Sequence, residues 1–183
     1  MRKILFIVLA SWFMVVSGCG YTTRSMISDK YRNIYIAPFV NKIDITQQED
    51  VDRRYKIYRP HIETDITRVV TNKYLFDGNL KPVKEETADL VLKGEITDFR
   101  MDPVRYDDNN EVSEYRINLV VNLILTDRTE DKVLWTENGF VGYSNFFTGF
   151  ATGDVVRKTQ DQATNDALAD LARRVVERTV EQW

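Results

Sequence analysis

The chain has 183 residues, with 25 basic and 28 acidic side chains and a formal net charge of −3 at pH 7. A mildly acidic balance gives no general attraction for nucleic acid, so we expect no nucleic-acid partner. The length is typical of one domain, which can bury enough apolar surface to fold without a disulfide or a metal.

The first residues predict export. A basic start at Arg2-Lys3 is followed by an almost unbroken apolar run over residues 4–16 and by Ser17-Gly18-Cys19. This order is typical of a secretory signal peptide, and the run is shorter than the roughly 20 residues of a comfortable membrane span. We therefore predict a cleaved signal peptide over residues 1–18.

Cys19 is the only cysteine, so no intramolecular disulfide can use it. The small pair that ends on Cys19 resembles the lipobox of bacterial lipoproteins, which implies that this cysteine carries the lipid and anchors the chain in a membrane. Gly20 stands where, by resemblance to enterobacterial lipoproteins, an aspartate would signal retention at the inner membrane. The expected location is the outer membrane, on its periplasmic side.

The first half of the exported chain predicts a tether, a strand and a loop. Residues 19–31 comprise the lipidated cysteine and a small, polar tether, and residues 32–183 form a single domain. Residues 33–39 are β-branched and aromatic, which predicts a strand. Residues 41–58 are charged and show no clear period, which predicts a loop.

A helix is predicted next. Pro60 suits a first helical position, because its missing N–H has no partner there, and Asp77-Gly78 is a stop signal. Between them, apolar residues recur at helical spacing at Ile62, Ile66, Val69 and Val70.

Three strands are predicted after this helix. Even positions from Ala88 to Ile96 are small or apolar and their odd neighbours are mostly polar, and residues 115–125 repeat the alternation. Turn-forming residues at 102–110 and 126–131 separate them from each other and from a strand at 133–143, so we expect antiparallel pairing. The second face is polar, with a few apolar insertions at Val91, Phe99, Val120 and Ile124.

The C-terminal segment predicts a long amphipathic helix from Ala163 to Trp183, with one broad apolar stripe. The resulting order, β-α-β-β-β-α, predicts an α+β fold. We expect a two-layer sandwich with both helices packed on one face of a four-stranded, mostly antiparallel sheet.

The sequence does not predict an enzyme. His61 is the only histidine, so no Ser-His-Asp or Cys-His arrangement is available. Paired carboxylates lie in hydrophilic turns, where no apolar pocket raises a pKa for acid–base work. We expect no metal and no cofactor apart from the covalent lipid on Cys19.

Two segments are candidate contacts. Residues 144–153 hold Phe146, Phe147 and Phe150 among small residues; the phenylalanines either close the end of the core or anchor a partner. Residues 101–112 form a hairpin tip that is either a solvated turn or a contact surface.

The ordered set of segments resembles the LPS-assembly lipoprotein LptE family. The resemblance is carried by Cys19-Gly20-Tyr21, the strand with Ala37-Pro38-Phe39, the helix that ends near Asp77-Gly78, the strand from Ala88, and Val133-Leu134-Trp135. It implies an outer-membrane lipoprotein that plugs the lumen of the LptD β-barrel and binds lipopolysaccharide on its way to the outer leaflet.

Under that resemblance, cations on the strands and at strand ends are the candidate lipopolysaccharide contacts. Arg116 is the first choice, because it alternates onto the polar sheet face. The full set is Lys93, Arg100, Arg105, Arg116 and Lys132.

The opening Ile-Ala-Pro-Phe-x-Asn also resembles periplasm-facing regulatory lipoproteins, such as LpoB-like activators of a peptidoglycan synthase. Such an activator needs a long disordered tether to cross the periplasm. Only about a dozen residues separate Cys19 from the first strand, which favours the LptE-like interpretation.

Overall fold

The computed structural model describes residues 30–44, 55–148 and 158–181. The predictions for the signal peptide, for Cys19 and for most of the tether lie outside these residues. The described elements are β1 (Asn33–Ile36), β2 (Val40–Asn41), β3 (Tyr55–Lys56), α1 (Ile62–Asp77), β4 (Lys81–Pro82), a short 3₁₀ helix (Glu85–Thr87), β5 (Leu90–Tyr106), β6 (Val112–Asp127), β7 (Lys132–Phe147) and α2 (Gln160–Glu181).

The strands form one mixed sheet in the order β4-β1-β5-β6-β7, with β2 and β3 also paired to β5. The predicted α+β class and the antiparallel pairing of β5, β6 and β7 are confirmed. The prediction of four mostly antiparallel strands is wrong, because the sheet has seven strands among the described residues and β5 pairs in parallel with β1 and β2. Strands of two residues are too short to show a period of two, so the pattern could not reveal β2, β3 or β4.

The first predicted strand is divided in two. β1 ends at Ile36, and after a last hydrogen bond from Ala37 to the carbonyl of Leu92 at 2.9 Å the next strand begins at Val40, because Pro38 in between has no N–H to donate. Phe39 is buried, and its ring occupies the space where a side chain at Gly94 would stand. The loop predicted over residues 41–58 is wrong at its ends, since Asn41 belongs to β2 and Tyr55–Lys56 forms β3.

The central strand β6 divides core from surface. Its odd residues from Ile117 to Leu125 are buried in the core. On β5, Ile96 pairs with Val121 but Asp98 pairs with Val120, so the chain bulges at Thr97. The bulge turns Phe99 into the core, where it is buried, and the prediction that Phe99 lies on the polar face is wrong.

The two helices follow the predicted stripes. α1 begins at Ile62, two residues after the predicted start, because His61 adopts a left-handed conformation with φ of 59°. It ends where predicted, at Gly78, whose φ of 79° suits a residue without a side chain. The helices meet at buried Tyr74, whose hydroxyl lies 2.7 Å from that of Thr179. Since Thr179 donates to the carbonyl of Val175, Tyr74 is the donor.

A single core cluster joins one face of β6 to both helices, including Leu123, Val70 and Val175. Helix α2 lies close to β7 at Gly142, where an added Cβ would stand 2.7 Å from the Cα of Leu171. The shared core favours the two-layer arrangement, which stays a prediction.

Strand β7 runs four residues further than the predicted 133–143, to Phe147, and it is irregular. Its pairing with β6 slips between Val121–Phe140 and Leu123–Glu137, around Gly139 with φ of 68°. Helix α2 contacts the free edge of this strand. Asp170 accepts the N–H of Tyr143 at 3.2 Å, and Arg178 pairs with Glu137 at 2.7 Å.

A buried carboxylate fixes the start of the described chain to the β6–β7 turn. One oxygen of Asp127 accepts from Lys30 at 2.9 Å and from the Tyr31 hydroxyl at 2.8 Å, and the other accepts from the N–H groups of Thr129 and Glu130. Burial by itself raises the pKa of Asp127, but these hydrogen bonds outweigh burial and lower the pKa to about 2 from an ordinary 3.8.

Because this pKa is lower in the folded state, the Asp127 carboxylate stabilises the fold above about pH 4, and the contribution is lost as the pH falls towards about 2. We expect Asp127→Asn to lower the free energy of unfolding at pH 7. The substitution should also flatten its decline between about pH 4 and pH 2, measured by urea unfolding across pH. Asp131→Asn is the matched control, since Asp131 is exposed in the same turn with φ of 49°, which asparagine tolerates. Identical pH profiles for Asp127→Asn and the unsubstituted protein would contradict the assignment.

Candidate functional site

The strands β5, β6 and β7 carry a row of polar side chains on the side that faces away from the core. Arg100 pairs with Asn118 across the sheet, and Asp102 pairs with Arg116, which pairs with Asn145. Directly paired residues project from the same side of a sheet, so these side chains share one face. We call the polar face the surface formed by Asp98, Arg100, Asp102, Glu114, Arg116, Asn118 and Asn145.

Arg100 is held between two carboxylates of its own strand. Its Nη1 lies 2.5 Å from Asp98 and its Nε 3.2 Å from Asp102, which also accepts from the amide of Asn118 at 2.6 Å. Burial lowers the pKa of Arg100, but the hydrogen bond from Arg100 to Asp98 and the charges of both carboxylates outweigh it and raise the pKa above its ordinary value. An added anion would compete with both carboxylates for this guanidinium.

A second network surrounds Glu114, which is buried. Its carboxylate accepts from the amide of Asn145 at 2.8 Å, and Asn145 in turn accepts from Nε of Arg116 at 2.9 Å. The Arg116 guanidinium also lies 5.1 Å from the centre of the Tyr143 ring. Arg116 is therefore held in position by two neighbours.

Arg105 is the most accessible arginine of this region, with 66% of its side chain exposed and 3.6 Å to Glu114. It adds a third cation beside the carboxylates of the polar face, which are Asp98, Asp102 and Glu114. The region therefore carries three positive and three negative charges. Arg100 and Arg105 pair with carboxylates, and Arg116 is joined to Glu114 through Asn145. Such a surface is close to neutral and suits a polar partner surface better than a concentrated anion.

The two predicted lysines lie elsewhere. Lys93 and Lys132 are exposed, and neither has a carboxylate oxygen within 4.0 Å among residues 30–44, 55–148 and 158–181. Lys93 precedes Arg100 by seven residues on β5, a separation of about 23 Å along a strand. Lys132 begins β7, opposite Asp127. The structure does not gather the five predicted cations into one site, and their role in lipopolysaccharide binding stays a prediction.

The predicted aromatic contacts differ from one another. Phe146 is buried and stacks on Tyr115 with ring centres 5.9 Å apart, which supports a role in the core. Phe147 is 51% exposed, with the Arg105 guanidinium 5.8 Å from its ring centre. Phe150 lies outside the described residues. The segment predicted as a loop from residue 144 continues β7 as far as Phe147.

The sequence alone does not predict the partners of these cations. Asp98 and Asp102 stand two residues before and after Arg100, a spacing that places all three on one face of a strand. The turn-forming residues at 102–110 obscure this spacing, because they predict a turn that begins at Asp102. By contrast, Asn145 reaches Glu114 only through the pairing of β6 with β7, which no local pattern reveals.

At the hairpin tip, an acidic side chain stabilises the turn itself. Asp107 accepts the N–H groups of Asn109 and Glu111, both at 2.9 Å, so its carboxylate stabilises the turn.

Within the described part of the chain, no group of three or more His, Cys, Asp or Glu is placed to hold a metal ion. Nor does any described helix have the length and apolar character needed to cross a membrane.

Two substitutions distinguish an arginine that stabilises the sheet from one that is available to bind a ligand. We expect Arg100→Gln to lower the free energy of unfolding by about 1–3 kcal/mol, because it leaves Asp98 without its cationic partner. Arg105→Gln should cost less than about 0.5 kcal/mol, since its ion pair is long and solvated. Chemical denaturation measures both, and an equal loss in the two variants would contradict this division.

Comparison with solved structures shows a shared fold in one case. Protein XCC0632 from Xanthomonas campestris aligns with a TM-score of 0.55 at 12% identity, covering 87% of this chain and 92% of that chain. The hypothetical protein CT253 from Chlamydia trachomatis aligns with a TM-score of 0.49 at 12% identity, covering 81% and 95%. A minor lipoprotein from Acinetobacter baumannii aligns with a TM-score of 0.47 at 14% identity, covering 82% and 90%. The first similarity is one of fold alone, and the other two TM-scores are too low to support a conclusion.

No curated protein sequence matches the chain significantly. A sequence model of the lipopolysaccharide-assembly family LptE matches residues 31–179, which is most of the domain described above. Lipoproteins of this family need no cofactor. The chain therefore belongs to the lipopolysaccharide-assembly family LptE.

Proposed function

We propose that this protein is a non-enzymatic lipoprotein, anchored through Cys19 on the periplasmic side of the outer membrane, that plugs the lumen of an LptD-type β-barrel. In that position it assists the transport of lipopolysaccharide and its insertion into the outer leaflet. The observation that carries the proposal is the polar face: a broad, nearly neutral sheet surface on a chain of the LptE family.

The chemistry of the polar face fits the inside of a barrel. The interior of an outer-membrane barrel is polar, so a domain that occupies it must present hydrophilic side chains. Three carboxylates, together with Arg100, Arg116 and the adjacent Arg105, offer many hydrogen-bonding groups with little net charge. Arg100 and Arg105 pair with carboxylates, and Arg116 is joined to Glu114 through Asn145. Their mutual bonds also hold them in place, which lowers the entropy that a partner must remove on binding.

The exposed cations support direct contact with lipopolysaccharide. Lys93 has no carboxylate oxygen within 4.0 Å among the described residues, and Arg105 is only weakly paired, so both can reach a lipid phosphate. Arg100 and Arg116 are held by carboxylates and by Asn145, and they serve the polar face instead.

The first experiment tests the barrel partnership. We would place a photo-crosslinking residue at Ile124, which is partly exposed on the same side as the polar face, and at Ala169, which is exposed on α2. In outer membranes, the Ile124 position should crosslink to a large barrel protein more strongly than the Ala169 position. Crosslinking to a peptidoglycan synthase would favour the LpoB-like alternative, and no barrel adduct from Ile124 would overturn the proposal.

A second experiment tests lipopolysaccharide binding. We expect Lys93→Gln together with Arg105→Gln to weaken binding of purified lipopolysaccharide about tenfold or more, because two charge-assisted contacts are lost. Lys84→Gln, another exposed lysine, is the control and should bind as the unsubstituted protein does. Unchanged affinity in the double variant would remove direct binding and leave the barrel partnership standing.

A further inference from the structure

The described residues begin at Lys30, at one end of the sheet, which we call the tether end. It comprises the start of β1, the C-terminus of α1 and the β6–β7 turn. These are joined by hydrogen bonds from Lys81 to the carbonyl of Arg32 at 2.8 Å and from Lys30 to Asp127 at 2.9 Å. The β5–β6 turn lies at the opposite end, because β5 runs 17 residues, or about 55 Å when fully extended.

The tether end exposes large apolar side chains. In the last turn of α1, Leu75 is 59% exposed and Phe76 is 87% exposed. Val133, at the start of β7, is 54% exposed. The buried stripe of α1 ends at Tyr74, so Leu75 and Phe76 point away from the core that the rest of the helix serves. Adjacent exposed side chains of this size indicate a contact outside the domain.

The charges near Leu75 and Phe76 do not favour a partner of either sign. Lys73 and Lys81 lie close to it in sequence, but so do Asp77 and Glu85. With both signs present, a charged partner gains little from long-range attraction. The contact depends on burial of the apolar side chains, and the lysine stems can extend towards a polar boundary beside them.

The length of the tether indicates which apolar surface is near. Cys19 stands eleven residues before Lys30, so even a fully extended tether reaches at most about 40 Å. A lipid on Cys19 therefore confines this end of the domain to the neighbourhood of a phospholipid surface. That confinement raises the effective concentration of the phospholipid surface near Leu75 and Phe76 above the concentration of any soluble partner.

We propose that, before the protein joins a barrel, Leu75 and Phe76 insert into the phospholipid surface that holds the lipid anchor. The inference rests on the proposed lipidation of Cys19. A lipid and an apolar helix end then make two attachments, which together fix an orientation that a flexible tether alone does not. The domain lies with its tether end on the membrane and its β5–β6 turn directed away from it.

The experiment uses the cysteine count of the chain. Because Cys19 is the only cysteine and is occupied by lipid, Phe76→Cys provides a single free thiol for a nitroxide label. The lipidated variant is reconstituted into phospholipid vesicles without a barrel, and the accessibility of the label to oxygen and to a water-soluble nickel complex is measured. Asn109→Cys, exposed in the β5–β6 turn, is the matched control.

We expect the label at position 76 to be several-fold more accessible to oxygen relative to nickel than the label at position 109. Val133→Cys keeps Leu75 and Phe76 intact and should report an intermediate ratio. Equal ratios at positions 76 and 109 on membrane-bound protein would overturn the inference and leave the anchor standing. Protein that fails to bind vesicles would overturn both. Protection of position 76 only after a barrel is added would assign this surface to the barrel instead.

Discussion

The register of β6 between β5 and β7 is the constraint on which the rest of the molecule depends. It directs Ile117 to Leu125 at odd positions into the core and leaves Arg116 and Asn118 on the polar face. A slip of one residue would exchange the two sets and place charges under the helices. The same pairing that builds the core therefore also assembles the polar face.

Strong periods made most of the fold predictable. The alternation along β6 and the apolar stripes of the helices identified the long elements, because one buried face imposes one period. The bulge at Thr97 was not predictable, since an extra residue in one strand leaves no mark on composition. The short strands β2, β3 and β4 arise from pairing with a neighbour and have too few residues for a pattern.

The residue types of the polar face were predictable from the sequence, but the partners of its side chains were not. The sequence identified Arg116 as a cation on the polar face, and the structure places it there. Whether such a cation is available depends on what stands across the sheet, as Asn145 and Tyr143 do for Arg116. Those neighbours come from a strand that follows after a turn, so only tertiary structure separates arginines that stabilise the sheet from cations that can bind a ligand.

The irregular edge of the sheet at β7 has a further consequence. Another strand could extend the sheet only along a straight row of free N–H and C=O groups. The bulge at Gly139 bends that row, and Asp170 already accepts the N–H of Tyr143. The other edge is formed by β4, β2 and β3, which have two residues each. Both edges thus oppose fusion with the continuous wall of a barrel. In the proposed complex, the protein would therefore remain a separable insert that recognises its surroundings through side chains.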